Sequence, residues 1–312
     1  MAGPLVSIIL TVYERTTFIV DALESTLAQT YDNLEIIIAD DSNSSPIANI
    51  VSHYRDARVL YQPNPVRLGI VGSLKRHIAE AKGVYISILN DDDVWEKTFV
   101  SSLVAVLEDD PSRILAFSDH YIIDASGNVL GAQTEENTRL YRRDSLAAGD
   151  IKNLAEIVLL YNAVPLAMAS VFRKDALSLD LLFDGIVGAY DYWISMLLAA
   201  QRKKAYFVRE RLTRYRIHDA METVRKSADR LENNVLLYQK ALELKLFPEY
   251  EVLLRGKLHD CLWRSGLNYL DFGERWCAIR RVGSSFCYGI TMKSVGAFAF
   301  CLLPKRIMHL VR

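Results

Sequence analysis

The chain has no cysteine before Cys261, and its four cysteines (Cys261, Cys277, Cys287 and Cys301) form no C-x-x-C pair. That usage argues against a zinc site and a disulfide framework, and fits a reducing compartment. No run approaches the roughly 20 apolar residues of a spanning helix. The formal net charge is -1, so no global basic field points to nucleic acid. Met1-Ala-Gly-Pro-Leu-Val-Ser7 lacks the charged start, apolar middle and cleavage site of a signal peptide. Tyr13-Glu-Arg-Thr-Thr17, which follows the first apolar run, contains no glycine. A dinucleotide dehydrogenase needs G-x-G-x-x-G there, and a nucleotidyltransferase a Gly-rich phosphate loop. Internal repeats and low-complexity segments are absent too.

What is present is an alternation. Val6 to Val12 and Leu34 to Ala39 are near-continuous apolar strands, and Arg58 to Gln62 and Tyr85 to Leu89 follow. Such runs are buried on both faces, as in parallel sheets. Helical spacing falls between them at about Thr17 to Gln29, Pro46 to Tyr54 and Gly72 to Ala81, with Gly83 placed as a C-cap. The pattern predicts an α/β fold with a doubly wound, mostly parallel central sheet flanked by helices. Ligands of such sheets sit outside the carboxyl ends of the strands. Three of those ends are polar here: Thr11 and Tyr13, Asp40 and Asp41, and Asn90 to Asp93.

After Lys97 the spacing predicts a helix over Thr98 to Leu107 and a strand ending at Ser118-Asp119. A hairpin over Tyr121 to Leu130 turns at Asp124 to Asn128. Further expected elements are a helix over Ile151 to Tyr161, a strand over Ala169 to Arg173 and a helix opening at Asp191. Short strands at Ala205 to Val208 and Leu212 to Arg216 follow. From about Glu222 the chain reads as two or three helices with a break at Phe247-Pro248.

Asp91, Asp92 and Asp93 crowd the end of the fourth strand. Two unit charges about 4 Å apart at an effective dielectric near 20 repel by roughly 4 kcal/mol. A bound cation would reverse that sign. Asn90 and Asp92 share a face if the strand geometry persists, and an oxygen pair at i, i+2 suits a hard divalent ion. Read alone, the run fits a solvated acidic turn equally well. Asp191 alone reads as a helix N-cap, His218 as a structural histidine, and Trp95 and Trp193 as packing residues.

Five stretches carry a resemblance: Val6 to Tyr13, Ser25 to Asp41, Ala81 to Trp95, Gly188 to Trp193, and Arg214-Tyr-Arg-Ile-His218. Their order and spacing over roughly residues 4 to 220 resemble the family 2 glycosyltransferases of the GT-A fold. The resemblance implies an inverting transfer of a sugar from a nucleotide-sugar donor to a glycan or lipid-linked acceptor, in bacterial surface polysaccharide synthesis. It implies that Thr11, Tyr13 and Asp41 line the nucleotide pocket, with Asp41 accepting a hydrogen bond from the base. Asn90 and Asp91 would lie near the ribose and diphosphate. Asp92, as the last acid of the D-x-D motif, would bind Mg2+ or Mn2+, with His218 near the metal or diphosphate. Asp191 would be the catalytic base. The chain departs from the family's usual pattern with Asp40-Asp-Ser-Asn43 for Asp-Asp-Gly-Ser, Asn90 for Asp, and Lys75 for an Asn. A nucleotidyltransferase and a non-catalytic sugar-nucleotide-binding protein are the alternatives.

The expected organisation is a catalytic domain over 1–220, with a nucleotide half over 1–96 and an acceptor half over 97–220. A helical region over 221–312 follows. From Phe272 onward the only acid is Glu274, against Arg275, Arg280, Arg281, Lys293, Lys305, Arg306 and Arg312. Nine apolar residues, Val295 to Leu303, are too few to span a bilayer but enough to bury a face at its boundary. Two readings of 272–312 stand: a helix packed on the domain, or a peripheral contact with the inner face of the membrane by a cytoplasmic enzyme.

Overall fold

The computed structural model describes residues 3–42, 46–219 and 227–303. The chain forms two compact units: Met1–Asp184 with Tyr190–Asp219, and Gly185–Ala189 with Ala220–Arg312.

The first unit is built on one nine-stranded sheet. Its strands are β1 (Val6–Val12), β2 (Leu34–Asp40), β3 (Val59–Pro63), β4 (Tyr85–Asn90), β5 (Val94–Trp95), β6 (Arg113–Ile123), β7 (Gly149–Ile151), β8 (Ser170–Arg173) and β9 (Lys204–Arg216). The order is β3-β2-β1-β4-β8-β6-β9-β5, with β7 beside β9. The first four strands pair in parallel, as do β6 and β9, whereas β8, β5 and β7 pair antiparallel. The parallel ladders are the long ones. Every residue of β1 and β2 is buried. Val6, Ile8, Leu10 and Val12 pack with Ile19 and Leu23 of α1 (Ile19–Leu27) and with Phe99 and Leu103 of α4 (Phe99–Asp109). The alternate residues Ile9, Ile37 and Ile88 are equally buried, and α3 (Gly69–Glu80) lies against β1 and β2. Two covered faces explain why these strands lack a polar alternation. Each fully buried Ile or Leu contributes about 1.5–3 kcal/mol. A short helix, α2 (Ile47–Val51), links β2 to β3.

The remaining helices of this unit are α5 (Gly131–Leu140), α6 (Leu154–Tyr161), α7 (Leu166–Ala169) and α8 (Tyr190–Ala200). Four expectations need correction. Gly83 is not a C-cap: the helix is capped by extended Ala81, and a Cβ on Gly83 would meet the Ser7 backbone nitrogen at 2.5 Å. Glycine is needed there for close approach to β1. Ser118-Asp119 does not end a strand but lies inside the continuous β6, because Arg143 Nε (2.7 Å) and Thr138 Oγ1 (2.8 Å) donate to the buried Asp119 carboxylate. The turn at Asp124 to Asn128 forms, with Asp124 N donating to Asn128 O at 3.0 Å, but only an isolated Ile123–Val129 bridge follows it rather than a hairpin strand. The two short strands after Ala205 are one, β9, paired along β6 through register shifts.

Among its described residues the second unit contains α9 (Ser227–Glu243), α10 (Glu251–Asp271), α11 (Arg275–Ser285) and α12 (Met292–Leu302), four helices where two or three were expected. The break does fall at Phe247-Pro248. Ala278, Val282, Ala297 and Cys301 form its small core. Arg275 is spent on capping α12, donating to the Cys301 (2.8 Å) and Leu302 carbonyls. Phe272, Trp276, Ile290 and Met292 are exposed, Trp276 by 82%. No described helix is long and apolar enough to cross a membrane. Asn43, Glu222, Lys305, Arg306 and Arg312 lie outside the described residues.

Candidate active site

Parallel pairing gathers the carboxyl ends of β1, β2 and β4 on one edge. Thr11 is paired with both Ala39 and Asn90, and Val12 with Asp40. The Thr11 hydroxyl is buried, 3.2 Å from Asn90 Oδ1 and 3.4 Å from the Leu89 carbonyl. Tyr13, just beyond the strand, is 40% exposed, with the Arg67 guanidinium 4.3 Å from its ring centre.

The two acids after β2 do different things. Asp40 holds the loop together, accepting from Ser42 N at 2.9 Å and from Tyr61 OH at 2.8 Å. Asp41 faces the start of α3. Its Oδ1 accepts from Asn64 Nδ2 (2.9 Å) and Leu68 N (2.8 Å), and its Oδ2 from Gly69 N (2.8 Å). A positive φ of 71° at Gly69 is the left-handed conformation that glycine tolerates at little cost. A carboxylate at a helix N-terminus is stabilised by those N–H groups. Four acceptor positions on a carboxylate less three leaves one, on Oδ2.

The acid run after β4 is compensated from outside. Arg15, two residues past Tyr13, grips Asp91 through Nε (Oδ2, 3.2 Å) and Nη2, and the same Nη2 lies 2.7 Å from Asp92 Oδ2. His218 Nε2 is 3.2 Å from Asp92 Oδ2 and 3.1 Å from Arg15 Nη1. The His218 ring also stands 4.8 Å from Phe18. Asp93 turns inward, where its Oδ1 accepts from Arg216 N at 3.0 Å. Arg216 is buried too, and donates through Nε to the Asp92 carbonyl (2.9 Å) and through Nη2 to Asp21 (2.9 Å). Burial pushes the Asp91 carboxyl up to about 6, against the pull of Arg15. Burial, helped by the Asp92 charge, also raises Asp93 well above the usual carboxylate range, against the Arg216 N–H. The repulsion anticipated among three carboxylates is offset by Arg15 at Asp91 and Asp92 and by the Arg216 N–H at Asp93.

Asp191 lies in the first turn of α8 and accepts from Tyr192 N at 2.8 Å. Its neighbour Tyr190 donates its hydroxyl to Asn90 Oδ1 at 3.0 Å. Burial, then the charges of Asp191, Asp93 and Asp92, raise the Tyr190 hydroxyl well above its usual pKa. The start of α8 thus meets the end of β4. Thr11, Asn90, Asp91, Asp92, His218 and the start of α8 form one cluster. Tyr13 and Asp41 stand beside it, tied to Arg67 and to the start of α3. Trp95 and Trp193 are buried, their Nε1 donating to the Met168 (2.6 Å) and Leu181 (2.8 Å) carbonyls.

Sequence reasoning missed Arg15, Tyr190 and Arg216. A signal for Arg15 existed: a lone arginine next to the first strand end, on the edge where three acids needed a cation. Asp92 Oδ2 and His218 Nε2 suit a divalent ion in kind, as a carboxylate and an imidazole that supply two of its roughly six positions. No group of three His, Cys, Asp or Glu side chains is gathered for a metal among the described residues.

The sequence model described as "Glycosyl transferase family 2" matches residues 7–156. An uncharacterized glycosyltransferase of Rickettsia typhi is 28% identical over 266 residues, covering 83% of this chain and 78% of that protein. The Escherichia coli UDP-Glc:alpha-D-GlcNAc-diphosphoundecaprenol beta-1,3-glucosyltransferase WfaP is 36% identical over 118 residues, 38% of this chain and 47% of that one. Among solved structures, S. aureus TarS 1-349 in complex with UDP-GlcNAc superposes with a TM-score of 0.63 at 12% identity, over 95% of this chain and 90% of that one. The mannosyltransferase PcManGT from Pyrobaculum calidifontis, in complex with GDP-Man and Mn2+, gives 0.59 at 16% identity, over 95% and 79%. With its mixed α/β sheet, the chain has the GT-A fold of these glycosyltransferases, and its residues 7–156 match family 2 of them.

Proposed function

We propose that the protein transfers a sugar from a nucleotide-sugar donor to a glycan or lipid-linked acceptor, inverting the anomeric centre, in bacterial surface polysaccharide synthesis. The observation that carries this reading is the Tyr190–Asn90 hydrogen bond of 3.0 Å. It brings the helix that bears Asp191 to the strand edge that bears Asn90, Asp91 and Asp92. A base and a leaving-group site must flank one reacting carbon, so this proximity is what a single displacement requires.

Each residue has a role in this reading. The exposed Tyr13 ring and Arg67 flank the base, and the spare acceptor position of Asp41 Oδ2 takes a base N–H. Thr11 and Asn90 order the ribose side. Asp92 and His218 would hold a divalent ion, Mg2+ or Mn2+, which supplies charge stabilisation to the departing diphosphate. Asp191 takes the proton of the acceptor hydroxyl as it attacks. A carboxylate suffices as the base, because the hydroxyl becomes acidic as the new bond forms. WfaP, named for a diphosphoundecaprenol acceptor, supports a lipid-linked acceptor for this chain. In the same reading residues 1–96 bind donor, 97–220 face acceptor, and the exposed Phe272, Trp276, Ile290 and Met292 beside Arg280 and Lys293 touch the cytoplasmic face of the membrane.

A donor-hydrolysis screen of the full chain over UDP-, GDP- and dTDP-sugars, with Mn2+ or Mg2+, tests the proposal. Sugar release with one class of donor is expected, with Asp92→Ala abolishing it. Silence with every donor from a folded protein would overturn it.

A further inference from the structure

The guanidinium of Arg15 stands where the donors of a divalent ion converge. It touches the same two atoms that the proposed function gives to the metal: Asp92 Oδ2, at 2.7 Å from Nη2, and His218 Nε2, at 3.1 Å from Nη1. Its other contacts, through Nε and Nη2, are both to the Asp91 carboxylate. A guanidinium only donates, so its contact with Nε2 uses the ring-nitrogen lone pair that a metal ion would take. A proton on Nε2 would instead serve Asp92, and the lone pair would again be unavailable.

Electrostatics points the same way. Asp91 and Asp92 supply two negative charges on this corner, and Arg15 returns one positive charge. A divalent ion seated at Asp92 and His218 would lie within a few ångströms of the guanidinium, and like charges so close repel strongly in a partly buried site. Arg15 is itself only part-buried, its side chain 24% exposed, and it lies in the loop after β1 rather than in a strand or helix. Its side chain therefore has a way out towards solvent.

We propose that Arg15 is a resident cation that competes with the divalent ion for the acid corner, so that metal enters only as Arg15 withdraws from Asp91 and Asp92. This rests on the glycosyltransferase reading only in taking Asp92 and His218 as metal donors. The free enzyme then binds metal weakly. Donor phosphates, which give the released guanidinium a new anionic partner, raise metal affinity.

The test is Mn2+ binding by the full chain without nucleotide, read as loss of the free-ion signal in electron paramagnetic resonance. The proteins are wild type, Arg15→Gln, Arg15→Lys, and Arg15→Gln combined with Asp92→Asn. Arg15→Gln should bind Mn2+ at least tenfold more tightly than wild type, Arg15→Lys should fall between them, and the double variant should lose binding. Thermal unfolding guards against a folding artefact, since Mn2+ should raise the melting temperature of Arg15→Gln more than that of wild type. Equal or weaker binding by Arg15→Gln, still abolished in the double variant, overturns the competition and leaves the metal assignment intact. No binding by any of them removes the competition, since loss of Arg15 then opens no metal site, and binding indifferent to Asp92 removes the metal assignment as well.

Discussion

Replacing Asp41 by asparagine keeps the side-chain volume and changes only its charge and one of its acceptors. The carboxylate takes three hydrogen bonds, from Asn64 Nδ2, Leu68 N and Gly69 N, at 2.9, 2.8 and 2.8 Å. With the amide oxygen in the Oδ1 place, Asn64 and Leu68 keep an acceptor, while the Gly69 N–H faces an NH2 group. One hydrogen bond to a charged group is lost, at about 1.5–3 kcal/mol. The other two fall to neutral strength, roughly half of their former worth. Relief from holding a buried charge offsets part of this, leaving a net loss of about 2–4 kcal/mol. For a unit of about 200 residues, with a urea dependence near 2 kcal/mol per molar, the unfolding midpoint should fall by roughly 1–2 M. Trp95 and Trp193 report it through their fluorescence, since both are buried in this unit. Because the same oxygen is proposed to meet the base, calorimetry should also show weaker binding of UDP or GDP. A midpoint within about 0.2 M of wild type would refute the bond accounting. A lowered midpoint with unaltered nucleotide affinity would refute the base contact and leave Asp41 as the anchor of α3.

Asp191→Asn retains most of the helix-start hydrogen bonding but removes the base, so transfer to acceptor should fall at least about 10²-fold with donor affinity nearly unchanged; wild-type turnover would make Asp191 a cap only. Burial depresses the His120 imidazole to about 3, and its Nδ1 has no hydrogen-bond partner among the described residues. The folded state thus binds fewer protons than the unfolded one between about 3 and 6.5, so this group's contribution is complete above 6.5 and is lost as pH falls towards 3, by at most about 1.4 kcal/mol per pH unit. Chemical unfolding of His120→Asn across that range should show a shallower acid limb, and parallel limbs would refute the assignment. Sedimentation with anionic vesicles should show the full chain bound at low salt and released at high salt, with a chain ending near Tyr288 bound less; negligible binding by both would remove the membrane contact.

The first four strands and their polar ends were legible because every signal is local: apolar runs of strand length, helical spacing between them, and acids where each run stops. The compensating charges were not, because nothing near Asp91 to Asp93 names a partner 76 positions back at Arg15 or 123 positions on at Arg216. The same blindness split β6. Ser118-Asp119-His120 looks like a strand end until Arg143 and Thr138, from another segment, make burial of Asp119 affordable. Gly83 shows a subtler limit, since its position after a helix matched a capping residue while its actual constraint, the Ser7 backbone, lies across the sheet.

Arg216 gives the acid loop a history as well as a shape. Its backbone N–H holds Asp93, its Nε holds the Asp92 carbonyl, and the next residue but one, His218, meets the Asp92 carboxylate. Translation releases the chain from its N-terminus at about 5–20 residues per second, so the 123 positions from Asp93 to Arg216 correspond to roughly 6–25 s of synthesis. During that interval β1 to β4 can already pair with one another, since their mutual ladders use nothing later in the chain. The loop that ends β4 meanwhile carries Asp93 without its partner. The sheet edge is therefore a late product of an early sheet, and a nascent chain stalled before β9 would hold Asp91, Asp92 and Asp93 without Arg216 and His218.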